Sequence, residues 1–209
     1  MSGPGVLEMM AVVYNSPTEI ATPHGSFMEM VAPDAFRNVL RRKDGLKRTL
    51  ALRDHDQSLL LGRSSSSTLR LTNTPAGLLA TVRLPDTVLG QETAVLVERR
   101  DLAGASFSFV AETDSWHEGD KGPVRVIELI AELWDVSVCG WPQYEATSAW
   151  IWNNTRSMSM HLKRNQLSAR ARPPAVAQFR GRPTRPPLEL WRWLRTHRRP
   201  ARAGCGHAA

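Results

Sequence analysis

The chain has 209 residues and a mass of 23.3 kDa, enough for one full domain with an appendage and marginal for two. Hydrophobic residues make up 42% of the sequence, which is sufficient to build a core. No stretch approaches 18 consecutive apolar residues, so we expect no membrane span. Pro4, Glu8 and Asn15 interrupt the N-terminal apolar run, so we expect no signal peptide.

The net charge of +7 is divided unevenly along the chain. Residues 1–150 hold 14 Lys and Arg against 19 Asp and Glu, a net charge of −5, whereas residues 151–209 hold 13 against 1, a net charge of +12. We therefore predict an acidic body domain over 1–150 and a basic tail over 151–209. The tail is rich in Arg and Pro and has few apolar side chains to bury, which predicts disorder. Such charge asymmetry is typical of a segment that contacts nucleic acid, an acidic partner or an acidic surface.

The cysteine content predicts an intracellular protein with reduced thiols. Cys139 lies in a predicted strand and Cys205 in the tail, so a disulfide would have to tie the tail to the body. Neither cysteine belongs to a pattern with metal-ligand spacing. We therefore expect reduced thiols, a cytoplasmic protein, no metal and no cofactor.

The beginning of the chain predicts two strands and a helix. Residues 5–14 are apolar and compatible with a first strand, and residues 27–31 with a return strand after the turn residues of 15–23. Apolar residues at helical spacing after Pro33 predict a short helix.

A short strand over residues 50–53 ends at the triplet Asp54, His55 and Asp56. Neighbouring carboxylates raise the affinity of a histidine for protons, which favours a functional interpretation of His55. A single histidine in a sequence is nevertheless more often structural or simply exposed.

The rest of the body predicts a hairpin, a second helix and three further strands, and we expect the ordered body to end at Pro142. These elements are a hairpin of 68–72 with 78–84, a helix opening in 85–92 with Asp86 or Thr87 as its cap, a strand over 104–112, a polar loop over 115–122, and strands over 124–130 and 132–139. The body is therefore predicted to be mainly β with a few short helices (α+β). That composition suits a closed or nearly closed antiparallel barrel.

The strand that begins at residue 104 carries hydroxyls and aromatic rings in alternation. Ser106 and Ser108 alternate with Phe107 and Phe109, so the hydroxyls share one face and the rings share the other. The rings can anchor the strand in a core while the hydroxyls are held rigidly on the opposite face. This arrangement suits a nucleophile, and many ordinary half-buried strands share it.

Six pieces of the sequence, in order over residues 5–147, resemble the tailed-phage prohead protease family. Members of that family are serine proteases that mature viral capsids, and their fold is similar to that of the herpesvirus assemblins. The pieces are VAPDAF at 31–36, LRDHD at 52–56 with LLLGR at 59–63, LRLTNTPAGL at 69–78, LPDT at 84–87, RDLAGASFSF at 100–109 and ELWDVSVCGWPQY at 132–144.

The resemblance implies a herpesvirus protease-like antiparallel β-barrel and a catalytic triad. It places the catalytic histidine at His55, the nucleophile at Ser106 in a strand that the family writes SFGF, and the acid at Asp135. The chemistry agrees, because a serine hydroxyl needs a base to accept its proton and the base needs a carboxylate on its far nitrogen. No cofactor is implied.

The sequence departs from the family pattern at three positions. Ser108 stands where the family has glycine, so a second hydroxyl competes for the nucleophile's role. Asp135 replaces a glutamate, which shortens the arm by one methylene, and Gln143 replaces an alanine. Glu132 is a fallback acid, although strict strand alternation points it away from the face shared by Leu133, Asp135 and Ser137.

Asp54 and Asp56 also compete with Asp135 for the acid's role. Residues adjacent to a histidine rarely fold back onto its ring, so we favour Asp135.

The resemblance also implies partners and a location. The substrates would be the scaffolding segment of the major capsid protein and the protease itself, cleaved inside the procapsid after synthesis in the host cytoplasm. A homodimer is left open. The basic tail is expected to contact acidic scaffold helices or, as a weaker alternative, nucleic acid, and no membrane contact is expected.

Two other functions stay open from the sequence alone. One is a catalytically inactive capsid-assembly or scaffold factor with the same fold, and the other is a basic-tailed barrel that binds nucleic acid.

Overall fold

The computed structural model describes residues 4–120, 122–152 and 201–202. Within these residues the chain forms eleven strands, two α-helices and a short 3-10 helix, Ser64–Ser66. The strands are β1 Val6–Val13, β2 Thr18–Thr22, β3 Gly25–Val31, β4 Leu50–Arg53, β5 Asp56–Arg63, β6 Leu69–Thr74, β7 Gly77–Arg83, β8 Gly104–Gly119, β9 Gly122–Cys139, β10 Ser148–Trp152 and β11 Ala201–Arg202. The helices are α1 Arg37–Arg41 and α2 Val88–Glu98.

The strands form two sheets. The smaller sheet is antiparallel and has the order β10-β1-β7-β6. The larger has the order β11-β8-β9-β3-β2, with β4 also paired to β9 and β5 paired to β4. Both β3 and β4 run parallel to β9. The prediction of a mainly β chain with few helices is confirmed, but over the described residues the sheets do not close into the predicted antiparallel barrel.

The two aromatic side chains of β8 enter the core, as their alternation predicts. Phe107 and Phe109 are buried and stack with ring centroids 4.9 Å apart, and the edge of Phe36 meets Phe107 from the α1 side. Val136 of β9 lies opposite Phe107 and is buried with it. The serines of β8 are consequently held on the other face of a strand whose rings are fixed by packing.

Two regions that the sequence predicts as turn or loop are strands. β2 occupies part of the predicted turn region, where it pairs with β3. The predicted loop over 115–122 is mostly strand, because β8 continues to Gly119 and β9 begins at Gly122. Trp116, predicted in that loop, is buried against Phe27 with ring centroids 5.1 Å apart.

The ordered body extends past Pro142, where the sequence predicts that it ends. β10 pairs antiparallel with β1, from Val6 opposite Trp152 to Met10 opposite Ser148, and so crosses the predicted boundary at residue 150.

The predicted disorder of the tail concerns residues that lie outside the described ranges, apart from β11. Cys139 is buried, and Cys205 lies outside the described residues. Neither described α-helix has the length and apolar character needed to cross a bilayer.

Candidate active site

The central strand β9 brings the predicted site residues together, because its two neighbours carry the others. On one side it pairs with β8, where Asp135 lies opposite Ser108 and Ser137 lies opposite Ser106. On its other side it pairs with β4, which leads directly into His55. Neighbouring strands lie about 4.8 Å apart, so side chains on one face of three adjacent strands can make contact.

A two-residue turn fixes the position of His55. Arg53 pairs with Asp56, and the residues between them, Asp54 and His55, have φ values of 53° and 58°. Two successive left-handed residues are what a type I′ hairpin turn requires, and Asp and His tolerate that conformation better than most residues. The backbone N–H of Asp54 donates to the carbonyl of Val138 at 3.0 Å, which holds the turn against β9. Left-handed backbone at residues other than glycine is still strained, and such strained residues are typical of functional sites.

His55 and Asp135 form a buried pair. The two atoms His55 Nδ1 and Asp135 Oδ1 are 2.6 Å apart, and the side chains are 8% and 12% exposed. The hydroxyl of Ser137 also donates to Asp135 Oδ1, at 2.7 Å. Because the carboxylate accepts from Nδ1–H, the lone pair of a neutral His55 ring is on Nε2. Within the described residues, the buried Nε2 has no hydrogen-bond partner.

Asp135 is held in its ionised form. Its burial by itself raises the pKa, but the hydrogen bond and charge of His55, followed by the hydroxyls of Ser137 and Ser108, outweigh burial. The net effect holds the pKa of Asp135 below its ordinary value of 3.8. The site therefore keeps a carboxylate beside an imidazole, the arrangement that stabilises an imidazolium when the ring accepts a proton.

The lowered pKa of Asp135 predicts a pH-dependent contribution to stability. A carboxyl whose folded-state pKa is below 3.8 stabilises the fold above that pH, and this contribution is lost as the pH falls through the folded-state pKa. We expect the stability difference between the natural protein and Asp135→Asn to be constant near neutral pH and to shrink below about pH 4. Urea denaturation of both proteins between pH 7 and pH 3 measures this difference. A difference that stays unchanged down to pH 3 would contradict the prediction.

The serines of β8 differ in their relation to the His55 ring. The hydroxyl oxygen of Ser108 is 3.3 Å from His55 Nδ1, and that of Ser137 is also 3.3 Å from it. Both hydroxyls therefore lie at the nitrogen whose proton is engaged by Asp135. Ser106 is one pleat repeat, about 6.6–6.8 Å, further along the same face of β8 and is fully buried. The assignment of Ser106 as nucleophile stays a prediction.

A β-bulge determines which face of β9 carries the acid. Ser108 lies opposite Asp135, but the next residue, Phe109, lies opposite Leu133, so Trp134 is an extra residue in the ladder. Leu133 consequently enters the core with Phe109 while Asp135 stays on the serine face. The expectation that Leu133 and Asp135 share a face by strict alternation is wrong for this reason.

The other predicted acids lie elsewhere. Glu132 is exposed and accepts a hydrogen bond from the indole of Trp134 at 2.6 Å. Asp56 accepts from the backbone and hydroxyl of Ser58, and Asp54 is exposed in the turn. Asp135 is thus the carboxylate that contacts His55 in the described residues.

Sequence reasoning gave no role to Ser137, whose hydroxyl bonds both members of the His55–Asp135 pair. Its position two residues after Asp135 is the signal, since residues at a spacing of two share a face of a strand. No group of three or more His, Cys, Asp or Glu side chains suited to a metal ion occurs in the part of the chain that the structure describes.

A rigid strand with two serines, beside a buried histidine–carboxylate pair, has the composition of a serine peptidase site. The comparison with known families agrees. The profile of the caudovirus prohead serine protease family matches residues 3–164, and the chain belongs to this family. It is therefore of the capsid-maturation serine protease type found in tailed phages. No curated protein and no solved structure matches the chain.

Proposed function

We propose that this protein is a serine endopeptidase that cleaves the scaffolding region of the phage capsid protein, and itself, during prohead maturation. Ser106 is the nucleophile, His55 the general base and Asp135 the group that orients His55. The observation that carries this proposal is the 2.6 Å contact between His55 Nδ1 and Asp135 Oδ1, buried beside the serine face of β8.

The proposed reaction follows from the two nitrogens of His55. Nε2 accepts the hydroxyl proton of Ser106 as its oxygen attacks the carbonyl carbon of the scissile bond. The imidazolium, stabilised by Asp135, then gives this proton to the leaving amine, and an acyl-enzyme forms. A water molecule then attacks the acyl carbon while Nε2 takes its proton, and Nε2 returns this proton to the Ser106 oxygen as the ester bond breaks and the acid product leaves.

Self-processing is supported by the position of β11. The backbone of Ala201–Arg202 pairs antiparallel with Phe109 and Ser108, so a segment of the chain's own C-terminal region lies along the proposed nucleophile strand. An extended peptide added to a strand edge is a common mode of peptide recognition. This placement makes the tail region a reasonable first substrate.

Coexpression with the capsid protein of the same phage tests the function. Intact-mass measurement of both chains is expected to show a capsid protein shortened by its scaffolding segment and a shortened protease. His55→Ala, which removes the proposed base, is expected to leave both masses at full length. Full-length masses with the natural protein would contradict the proposal, and cleavage that persists in His55→Ala would contradict the assigned base.

The basic tail is proposed to bind acidic scaffold segments and so to bring the enzyme into the procapsid. Removing residues 165–209, which leaves the family-matched region intact, takes away ten arginines and one glutamate. We expect less protease in purified proheads, because the attraction to acidic partners is lost. Immunoblotting of the proheads measures the amount.

Two charge variants of the full chain separate charge from sequence. Replacing the ten arginines by glutamine should lower the amount of protease in proheads as much as the truncation does. Replacing them by lysine, which keeps the charge, should preserve most of that amount. Normal packaging of the glutamine variant would exclude electrostatic targeting. Release of the natural protein by nuclease treatment of the particles would favour nucleic acid as the partner.

The alternative function, an inactive capsid-assembly factor, is favoured by one observation. Ser106 is 0% exposed in this structure, so a substrate in trans reaches it only after Ser106 becomes exposed. A fluorophosphonate probe separates the two functions, because it labels only an activated serine. Absence of labelling in proheads as well as in the purified protein would support the assembly factor.

A further inference from the structure

The segment that follows β9 folds back over the start of the serine strand. Residues 140–147, named here the return segment, connect β9 to β10. Pro142 of this segment lies directly on Gly104, the first residue of β8, since a Cβ built at Gly104 would be 2.3 Å from Pro142 Cγ. Only glycine permits this close approach. The strand that carries the acid thus continues into a segment packed against the strand that carries Ser106.

The last residue of the return segment holds the backbone of Ala105, which immediately precedes Ser106. The hydroxyl oxygen of Thr147 accepts from the backbone N–H of Ala105 at 2.9 Å, and the hydroxyl can donate to the Ala105 carbonyl at 2.7 Å. Every second residue of an antiparallel strand directs these two groups away from its partner strand. Ala105 is buried, so one side chain satisfies both groups on the edge of β8 that β9 does not cover.

The return segment is itself fixed at Tyr144. The Tyr144 hydroxyl donates to Glu29 Oε1 at 2.5 Å, and Arg125 Nη1 lies 2.9 Å from Glu29 Oε2. The Tyr144 ring packs on Phe107 with centroids 5.3 Å apart. The hydroxyl of Thr147 can donate alternatively to the carbonyl of Tyr144, at 2.7 Å. Two buried anchors therefore prevent the segment from moving independently of β3, β8 and β9.

We propose that Thr147 is a positioning residue for the nucleophile. It fixes the backbone of Ala105 from the edge of β8 opposite β9, while β9 holds Ser106 from the other edge. Thr147 does not contact the reacting atoms, and its effect passes through the peptide unit that joins Ala105 to Ser106. This inference rests on the proposed function, in which Ser106 is the nucleophile.

The test replaces only the hydroxyl of Thr147. Thr147→Val keeps the shape of the side chain and leaves both backbone groups of Ala105 unsatisfied. We expect the rate of fluorophosphonate labelling of Ser106, and kcat for a scaffold-derived peptide, to fall about 100-fold, as expected for a small misplacement of a reacting group. KM should change much less, and Thr147→Ser should restore most of the rate.

A second buried threonine provides the matched control. Thr93 is buried in α2, where its hydroxyl donates to the Leu89 carbonyl at 2.7 Å. Thr93→Val removes one buried hydroxyl hydrogen bond in a helix that carries none of the site residues, so it should leave the labelling rate unchanged. A folded Thr147→Val that labels at the natural rate would overturn the proposal. So would a Thr147→Ser that is as slow as the valine variant.

If Thr147→Val does not fold at the assay temperature, Gly104→Ala takes its place in the labelling experiment. The added methyl must displace Pro142, and we expect it to slow labelling at least about 10-fold because it loosens the packing of the return segment, which carries Thr147, on β8. A Gly104→Ala variant that is labelled at the rate of the natural protein would overturn the inference. Absence of labelling in the natural protein, in proheads as well as after purification, would instead refute the proposed function, so the two failures are distinguishable.

Discussion

Ser106→Ala is expected to abolish fluorophosphonate labelling and to lower kcat/KM at least about 10⁴-fold, whereas Ser108→Ala should retain most of both. The reason is the assignment of the two nitrogens of His55. Ser108 lies 3.3 Å from Nδ1, whose proton is engaged by Asp135 at 2.6 Å, so His55 cannot accept the Ser108 proton at that nitrogen. The basic lone pair is on Nε2, and Ser106 is the other hydroxyl on the same face of β8.

The two serine variants control for each other, because both remove one buried hydroxyl from the same face of one strand. Labelling followed by peptide mapping identifies the modified serine directly. Labelling of Ser108, with Ser108→Ala inactive and Ser106→Ala active, would show that the assignment is wrong by two residues. An equal loss of activity in both variants would show that Ser108 also contributes to the reaction.

The parts of the fold that the sequence predicts well are those with local signals. The hairpin of β6 and β7 lies close to its predicted bounds, around a turn that contains Gly77. The second helix begins where predicted, and Thr87 caps it by accepting from the N–H of Gly90 at 3.3 Å. Turn residues and caps act over three or four positions, so a single sequence contains the whole signal.

The parts that it misses depend on partners far away in the chain. β2 has polar residues and no strong alternation, and its strand conformation comes from pairing with β3. β10 pairs with β1, which lies about 140 residues earlier, and the parallel pairing of β3 and β4 with β9 is also long-range. Short strands compatible with a barrel do not determine whether sheets close, because closure depends on these pairings.

The candidate site shows the same division. His55 and Asp135 could be selected from the sequence by residue type and family resemblance, and the structure places them in contact. The face of Asp135 could not be derived with certainty, because a bulge at Trp134 interrupts the period of two. The bonds from Thr147 to Ala105 link positions 42 residues apart and have no local signal.

Asp135→Asn is expected to lower kcat by about 10³–10⁴-fold while preserving the fold at neutral pH. The amide keeps the size of the side chain but can donate a hydrogen to Nδ1, which favours the His55 tautomer with its proton on Nε2. That tautomer cannot accept the proton of Ser106. The charge that stabilises the imidazolium is lost as well, so the effect should appear mainly in kcat, with KM changed little.

Asp135→Glu is the matched comparison, since it keeps the charge and restores the residue type that the family pattern has at this position. The present carboxylate already reaches Nδ1 at 2.6 Å, so the additional methylene must be accommodated by a shift of the side chain or of the His55 turn. We expect activity between those of the natural protein and Asp135→Asn. A glutamate variant as inactive as the asparagine variant would show that this site depends on the short arm. An asparagine variant with natural kcat would remove Asp135 from the mechanism. Compensation by another predicted acid would not explain that result, since Glu132 bonds Trp134 and Asp56 bonds Ser58 in the described structure.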